Sequence, residues 1–185
     1  MGVITIAILL TMLSGRKISL RQRTLMQEAI SAPKMGGIVK LTGFIFKAII
    51  IIELLGALCL FPVFYKEFGF LKGVWYAFFH SISAFCNAGF DLMGIKEPYS
   101  SMTTMSGSVV VNIVLMILIV VGGLGFITWE DIKEHKLHFK KYSMQSKVIL
   151  FVTVVLIIIP VVYFYFCEFG RGEWKNMSQA DKVMA

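Results

Sequence analysis

The stretch Gly73-Val74-Trp75-Tyr76-Ala77-Phe78-Phe79-His80-Ser81-Ile82-Ser83-Ala84-Phe85-Cys86-Asn87-Ala88-Gly89-Phe90-Asp91-Leu92 decides the fold. Its first part, Val74–Phe85, is apolar and aromatic but only 12 residues long. As a helix it would measure roughly 18 Å, against a hydrocarbon core of about 30 Å. A run of that length reads as re-entrant, interfacial or core rather than spanning. Cys86-Asn87-Ala88-Gly89 then supplies poor helix formers and a bend. Non-helical backbone at membrane depth survives only where protein buries it or where it lines a water-filled cavity. A short helix followed by a Gly-bearing extended strand therefore implies a lining of backbone carbonyls, the groups that can replace the hydration shell of a monovalent cation. Glycine suits the strand because it adopts positive φ and exposes its carbonyl without a Cβ clash. The plainer alternative is a tight turn in an ordinary helical hairpin.

Outward from this stretch lie three full apolar runs and one short one. Ala48–Phe64 is interrupted by Glu53 and expected to close near Pro62. Val109–Trp129 ends in Gly122-Gly123-Leu124-Gly125, and Val148–Phe166 carries Pro160 inside it. Proline is tolerable in a membrane helix where neighbours re-satisfy the freed carbonyl. Val3–Leu13 is too short to cross. Its positive charge, Arg16-Lys17, follows the apolar run instead of preceding it, which is the reverse of a signal peptide. The opening is expected to be the last half of a membrane helix.

Basic residues set the orientation. Arg16, Lys17, Arg21, Arg23, Lys34, Lys40 and Lys47 cluster before the first full run, and Lys133, Lys136, Lys140, Lys141 and Lys147 between the last two. These two segments hold 12 of the 18 Lys and Arg and are expected to face the cytoplasm. Tyr65–Ser108 balances Lys66, Lys72 and Lys96 against Glu67, Asp91 and Glu97, and lies outside. Both flanks of the short aromatic helix are therefore on one side.

Composition agrees. Of 185 residues, 57% are hydrophobic and 16% charged, where soluble domains carry about 25% charged residues. That excludes a disordered chain, a collagen-like chain and an ordinary cytosolic enzyme. The net charge of +7 is explained by topology, so no nucleic-acid partner is implied. Cys59, Cys86 and Cys167 stand far apart, without CxxC or histidine at ligand spacing, so neither a disulfide framework nor a zinc site is indicated.

The string His80–Leu92 resembles the second pore loop of the Trk/Ktr/HKT potassium transporters, and is most like the Ktr-type membrane subunit. Gly122-Gly123-Leu124-Gly125-Phe126-Ile127-Thr128 looks like the end of the second helix of the same repeat. Gly15-Arg16-Lys17-Ile18-Ser19-Leu20 resembles the linker preceding it. The resemblance runs essentially end to end. It implies an all-α membrane protein built on an incomplete helix–pore-loop–helix repeat of potassium-channel-like architecture, in which four repeats surround one ion path. Carried over, the filter glycine is Gly89, with the carbonyls of Cys86, Asn87 and Ala88 beside it. The implied ligand is transported potassium, with sodium left open, and no covalent cofactor or resident metal. Implied partners are the remaining repeats, the bilayer and a cytoplasmic nucleotide-binding regulatory ring, with a homodimer left open. The implied location is a bacterial plasma membrane, crossed several times.

Met1-Gly2-Val3-Ile4-Thr5 parallels Leu124-Gly125-Phe126-Ile127-Thr128, an offset of 123 residues. The expected organisation is therefore the end of one repeat's second helix (1–13), a cytoplasmic linker (14–43), one complete repeat (44–129), a second linker (130–147), and the first helix of a following repeat with an external tail (148–185). One strand cannot close a filter, so the chain is read as a fragment.

Several residues admit two readings. A charge at mid-helix costs about 2.5–3.5 kcal/mol, which makes Glu53 a functional candidate by default. Its nearness to Lys47 equally suits pairing at the cytoplasmic edge. His80 and Ser81 are expected to pack and hydrogen-bond, with a proton relay as the sharper alternative. Asn112 is expected to bond a neighbouring helix. Gly122, Gly123 and Gly125 permit either close helix approach or a hinge. The function expected is potassium uptake through a carbonyl-lined filter. The rivals are a non-conducting truncated remnant, and a membrane-embedded enzyme or assembly subunit centred on Glu53 and His80. No Walker loop, Rossmann fingerprint or paired catalytic carboxylate supports the enzyme.

Overall fold

The computed structural model describes residues 38–95, 98–136 and 138–168. The short run 1–13, most of the first linker and the tail after 168 lie outside them. Four α-helices make up the described chain, with no strand among these residues. They are α1 (Ile38–Phe85), α2 (Val109–Gly123), α3 (Phe126–His135) and α4 (Met144–Tyr163). Short 3₁₀ turns occur at Met93–Ile95, Ser101–Met105 and Phe139–Lys141, and a π-helical turn, Phe164–Glu168, prolongs α4. Gly43–Phe85 and Met144–Cys167 are long and apolar enough to cross a membrane, and α2 with α3 would qualify as a third, broken span.

The decisive feature of α1 is a break at Gly69, where φ is 76° and ψ −178°. That combination is accessible essentially to glycine alone. The chain turns there, and the limb after Gly69 runs back along the limb before it. Phe68 stacks on Tyr76 at 4.5 Å between ring centroids and Phe64 on His80 at 5.1 Å, while Phe61 meets Phe70 edge-on. Gly73 lets the two backbones approach, since a Cβ there would stand 2.9 Å from the Tyr65 Cα. The first limb does not close at Pro62, as the apolar run suggests, because Pro62 sits inside the helix. Nor does the returning limb begin at Val74: helix resumes directly after Gly69, giving 70–85 a length of about 24 Å.

The described residues fall into two compact units, 38–52 with 124–147 and 53–123 with 148–168. In the second unit, Ala57, Leu60 and Phe64 of the outgoing limb, Tyr76 and Ala77 of the returning limb, and Val111 of α2 share one core. Met93 and Met105, from the two 3₁₀ turns, close it at 0% and 3% exposure. The buried stripe of α2 runs from Val111 through Val114 and Leu115 to Leu118, at helical spacing. Water exclusion contributes little inside a bilayer, so fit between these surfaces carries the association. The outward faces, such as Leu54, Leu55 and Leu58, are exposed and apolar, and from Val148 onward α4 is apolar nearly all round. Helices of that kind are at home in lipid or against further membrane helices.

The helix of α2 does not continue along the apolar run to Trp129. Helix stops at Gly123, Gly125 takes φ 81°, and α3 begins at Phe126. The second linker is thus partly helical. Lys133 of α3 places its ammonium 3.9 Å from the ring centroid of Phe44. Ser143 caps α4: its hydroxyl accepts the Ser146 amide at 3.2 Å, while Asp131 accepts both the Ser143 amide (3.0 Å) and hydroxyl (2.6 Å).

Candidate cation-binding strand

The returning limb of α1 ends at Phe85 in a Schellman motif. The Ala88 amide donates to the Ser83 carbonyl at 2.9 Å and the Asn87 amide to the Ala84 carbonyl at 3.1 Å. Asn87 occupies the left-handed position at φ 52°, a role asparagine fills more readily than other non-glycine residues. Gly89 follows at φ 71°, with nothing within 4 Å of where a Cβ would stand. Cys86, Asn87, Ala88 and Gly89 are all exposed. The four candidate residues are therefore consecutive positions of a non-helical segment that begins in the turn at a helix C-terminus. The helix dipole places partial negative charge at that end, where a cation is favoured.

Two helices frame the segment. Ser81 donates its hydroxyl to the Glu53 carbonyl at 2.7 Å. A Cβ on Gly56 would lie 2.5 Å from Ser81 Oγ and 2.8 Å from Leu118 Cδ1, so glycine lets the outgoing limb, the returning limb and α2 meet closely at this point. At the strand itself, Asn87 reaches the Ile119 carbonyl at 3.4 Å. Gly122 backs directly onto the Phe85 carbonyl, Gly123 has only the Asn87 side chain near it, and Gly125 carries the backbone change between α2 and α3. The three glycines thus occupy three different environments.

Beyond Gly89 the chain is tied back to its own helix. Ser83 Oγ donates to the Phe90 carbonyl at 2.7 Å and accepts the Phe90 amide at 3.0 Å. His80 accepts the Leu92 amide on Nε2 at 3.3 Å and donates Nδ1–H to the Tyr76 carbonyl at 2.7 Å. These partners define a neutral imidazole with the proton on Nδ1. The segment borders a cleft of about 280 Å³, lined in part by His80, Ser83, Asn87, Gly89, Asp91 and Ile119.

Glu53 is half-buried and forms no ion pair among the described residues. The polar centre required by the enzyme reading does not form there, because both His80 nitrogens are engaged elsewhere. Asn112 donates its side-chain amide to the Ser106 carbonyl at 2.7 Å, so it ties α2 to the turn that precedes it instead of bridging to another helix. No cluster of three or more His, Cys, Asp or Glu suited to a metal occurs among the described residues. Ser83 was not distinguishable as a tether from sequence, since serine within a helix ordinarily bonds the preceding turn.

A bent apolar hairpin packed on a further apolar helix, with an exposed non-helical segment leaving its tip, defines an all-α integral membrane protein. Comparison supplies the family: residues 1–185 match TrkH, described as cation transport protein, and the chain belongs to that family of the plasma membrane. It is 39% identical over 168 residues to the potassium/sodium uptake protein NtpJ of Enterococcus hirae, covering 91% of this chain and 36% of that one. It is 33% identical over 186 residues to the Ktr system potassium uptake protein B of Bacillus subtilis, covering 100% of this chain and 40% of that one. A further relative, the Ktr system potassium uptake protein B of Vibrio alginolyticus, is 31% identical over 169 residues. The chain spans about two fifths of the length of the curated relatives it matches.

Proposed function

We propose that this chain contributes one strand of a cation filter, with Cys86, Asn87, Ala88 and Gly89 as carbonyl donors, to a transporter that takes up potassium. The observation that carries the reading is the exposed segment 86–89, fixed by a Schellman turn at a helix C-terminus, with Gly89 at φ 71°. Family membership and the uptake functions named for the relatives support it. Selection would rest on the cost of dehydrating the ion against its coordination by carbonyl dipoles, with no covalent chemistry. The other strands would come from the remaining repeats of the protein, sodium could accompany potassium, and a cytoplasmic nucleotide-binding ring would dock on the basic side.

The test is potassium uptake in a transport-deficient strain expressing the full-length protein that contains these residues. A side chain at φ 71° strains the backbone by about 1–3 kcal/mol. Gly89→Asp is therefore expected to abolish uptake, and Gly89→Ala to reduce it roughly tenfold, with normal amounts of protein in the membrane. Wild-type uptake by both variants would overturn the reading.

A further inference from the structure

We propose that Ser83 and His80 are positioning residues that set the discrimination of the strand among monovalent cations. The inference rests on the reading of 86–89 as a filter strand and goes on to say what fixes its shape.

Gly89 holds no conformation of its own. It has no Cβ, sits at positive φ, and meets nothing within 4 Å of the Cβ position. Its carbonyl can keep one direction only if the backbone on both sides is held. Ser83 holds both sides. Its carbonyl accepts the Ala88 amide at 2.9 Å, before Gly89, and its hydroxyl engages the amide and the carbonyl of Phe90, after it. One helical residue therefore anchors the Asn87–Ala88 peptide before the glycine and, after it, the Gly89–Phe90 peptide that carries the Gly89 carbonyl. His80, one turn earlier on the same face, repeats the device at Leu92. The imidazole is 2% exposed and stacked on Phe64, and its other nitrogen is committed to Tyr76, so the acceptor lone pair has a fixed direction.

The cleft that the segment borders gives these ties their consequence. Its volume of about 280 Å³ would hold several waters, each needing about 30 Å³. A segment released from Ser83 has room to move into it, so its carbonyls would lose their common geometry while the helices stay packed. Loss of the tie should therefore relax selectivity more than it reduces flux.

The experiment measures the potassium-to-sodium uptake ratio of the full-length transporter in membrane vesicles. Ser83→Ala is expected to lower the ratio about fivefold, or about 1 kcal/mol at 1.4 kcal/mol per factor of ten, with uptake retained. Ser83→Thr, which keeps the hydroxyl, should restore it. His80→Phe, which keeps the stacking and removes the acceptor, should also lower the ratio, and His80→Gln should recover part of it. If Ser83→Ala does not reach the membrane, Ser83→Cys takes its place with the same expected loss. An unchanged ratio in the Ser83 and His80 variants, while Gly89→Ala shifts it, would overturn this inference alone. An unchanged ratio in all of them, Gly89→Ala included, would overturn the filter reading and this inference with it.

Discussion

Gly122 of α2 lies against the carbonyl oxygen of Phe85, so closely that a Cβ on the glycine would overlap it. The obstacle is backbone at a helix terminus, which cannot swing away as a side chain would. Gly122→Ala must therefore push the returning limb off α2 and displace the strand that follows it. Overpacking of this kind costs about 1–3 kcal/mol. The variant is expected to melt at lower temperature in detergent and to lose uptake. Gly123→Ala, whose nearest neighbour is the Asn87 amide at 3.9 Å, should change neither by much.

Gly69 gives the complementary case. A Cβ there would meet nothing within 4 Å, yet φ 76° with ψ −178° excludes other residues. Gly69→Ala should cost about 1–3 kcal/mol through backbone conformation alone. Because no neighbour is crowded, enlarging the residue further should add little. Gly69→Ala and Gly69→Ser are therefore expected to destabilise by similar amounts in thermal unfolding. A loss that grew steeply with side-chain size would contradict the geometry.

The contrast between these two glycines shows what the sequence does and does not disclose. Apolar runs locate the helices because lipid selects for composition, and the short run before Cys86 is recognisable as one that cannot span. Boundaries are less legible. Pro62 resembles a terminator, yet the helix passes through it to Phe68. Val109–Trp129 reads as one apolar run, yet it breaks at Gly125. Hydropathy does not distinguish a helix that bends from one that continues. The end of helix before Cys86-Asn87-Ala88-Gly89 is readable from its poor helix formers, but the tethers beyond it are not. Ser83 to Phe90 and His80 to Leu92 are pairings made across a turn, and no periodicity in the sequence announces them.

Asn87 should tolerate one substitution and resist another. Its φ of 52° is strained for most residues, and its side chain makes only a long 3.4 Å bond to the Ile119 carbonyl. Gly at this position removes the strain at the cost of that weak bond, whereas Ala keeps the strain and also loses the bond. Melting temperatures are expected to rank Asn87→Gly at or above wild type and Asn87→Ala below it, by about 1 kcal/mol. The opposite order would mean that the Ile119 bond, and not the turn, governs this position.

Asp131 links the second linker to α4 through Ser143 and Ser146, and its charge makes that link sensitive to acid. Burial works against the carboxylate, but the hydrogen bonds from Ser143 and Ser146 outweigh it, so the group titrates below the usual aspartate range. A carboxyl whose folded pKa is depressed contributes stability that is present in full above the unfolded value, about 3.9. That contribution is lost as the pH falls through the folded value. At pH 7, Asp131→Asn should destabilise the protein by about 1 kcal/mol, a figure discounted for solvent screening. The gap should persist down to about pH 4 and close below it, as wild type comes to carry the same uncharged acceptor as the variant. Ser143→Ala, which removes the cap and also a hydrogen bond to the Asp131 carboxylate, should cost about 1 kcal/mol or more at pH 7 and less at pH 3. Unfolding curves for the three proteins between pH 7 and pH 3 decide the matter: a gap between wild type and Asp131→Asn that does not depend on pH would show that hydrogen-bond geometry, and not charge, holds the linker to α4.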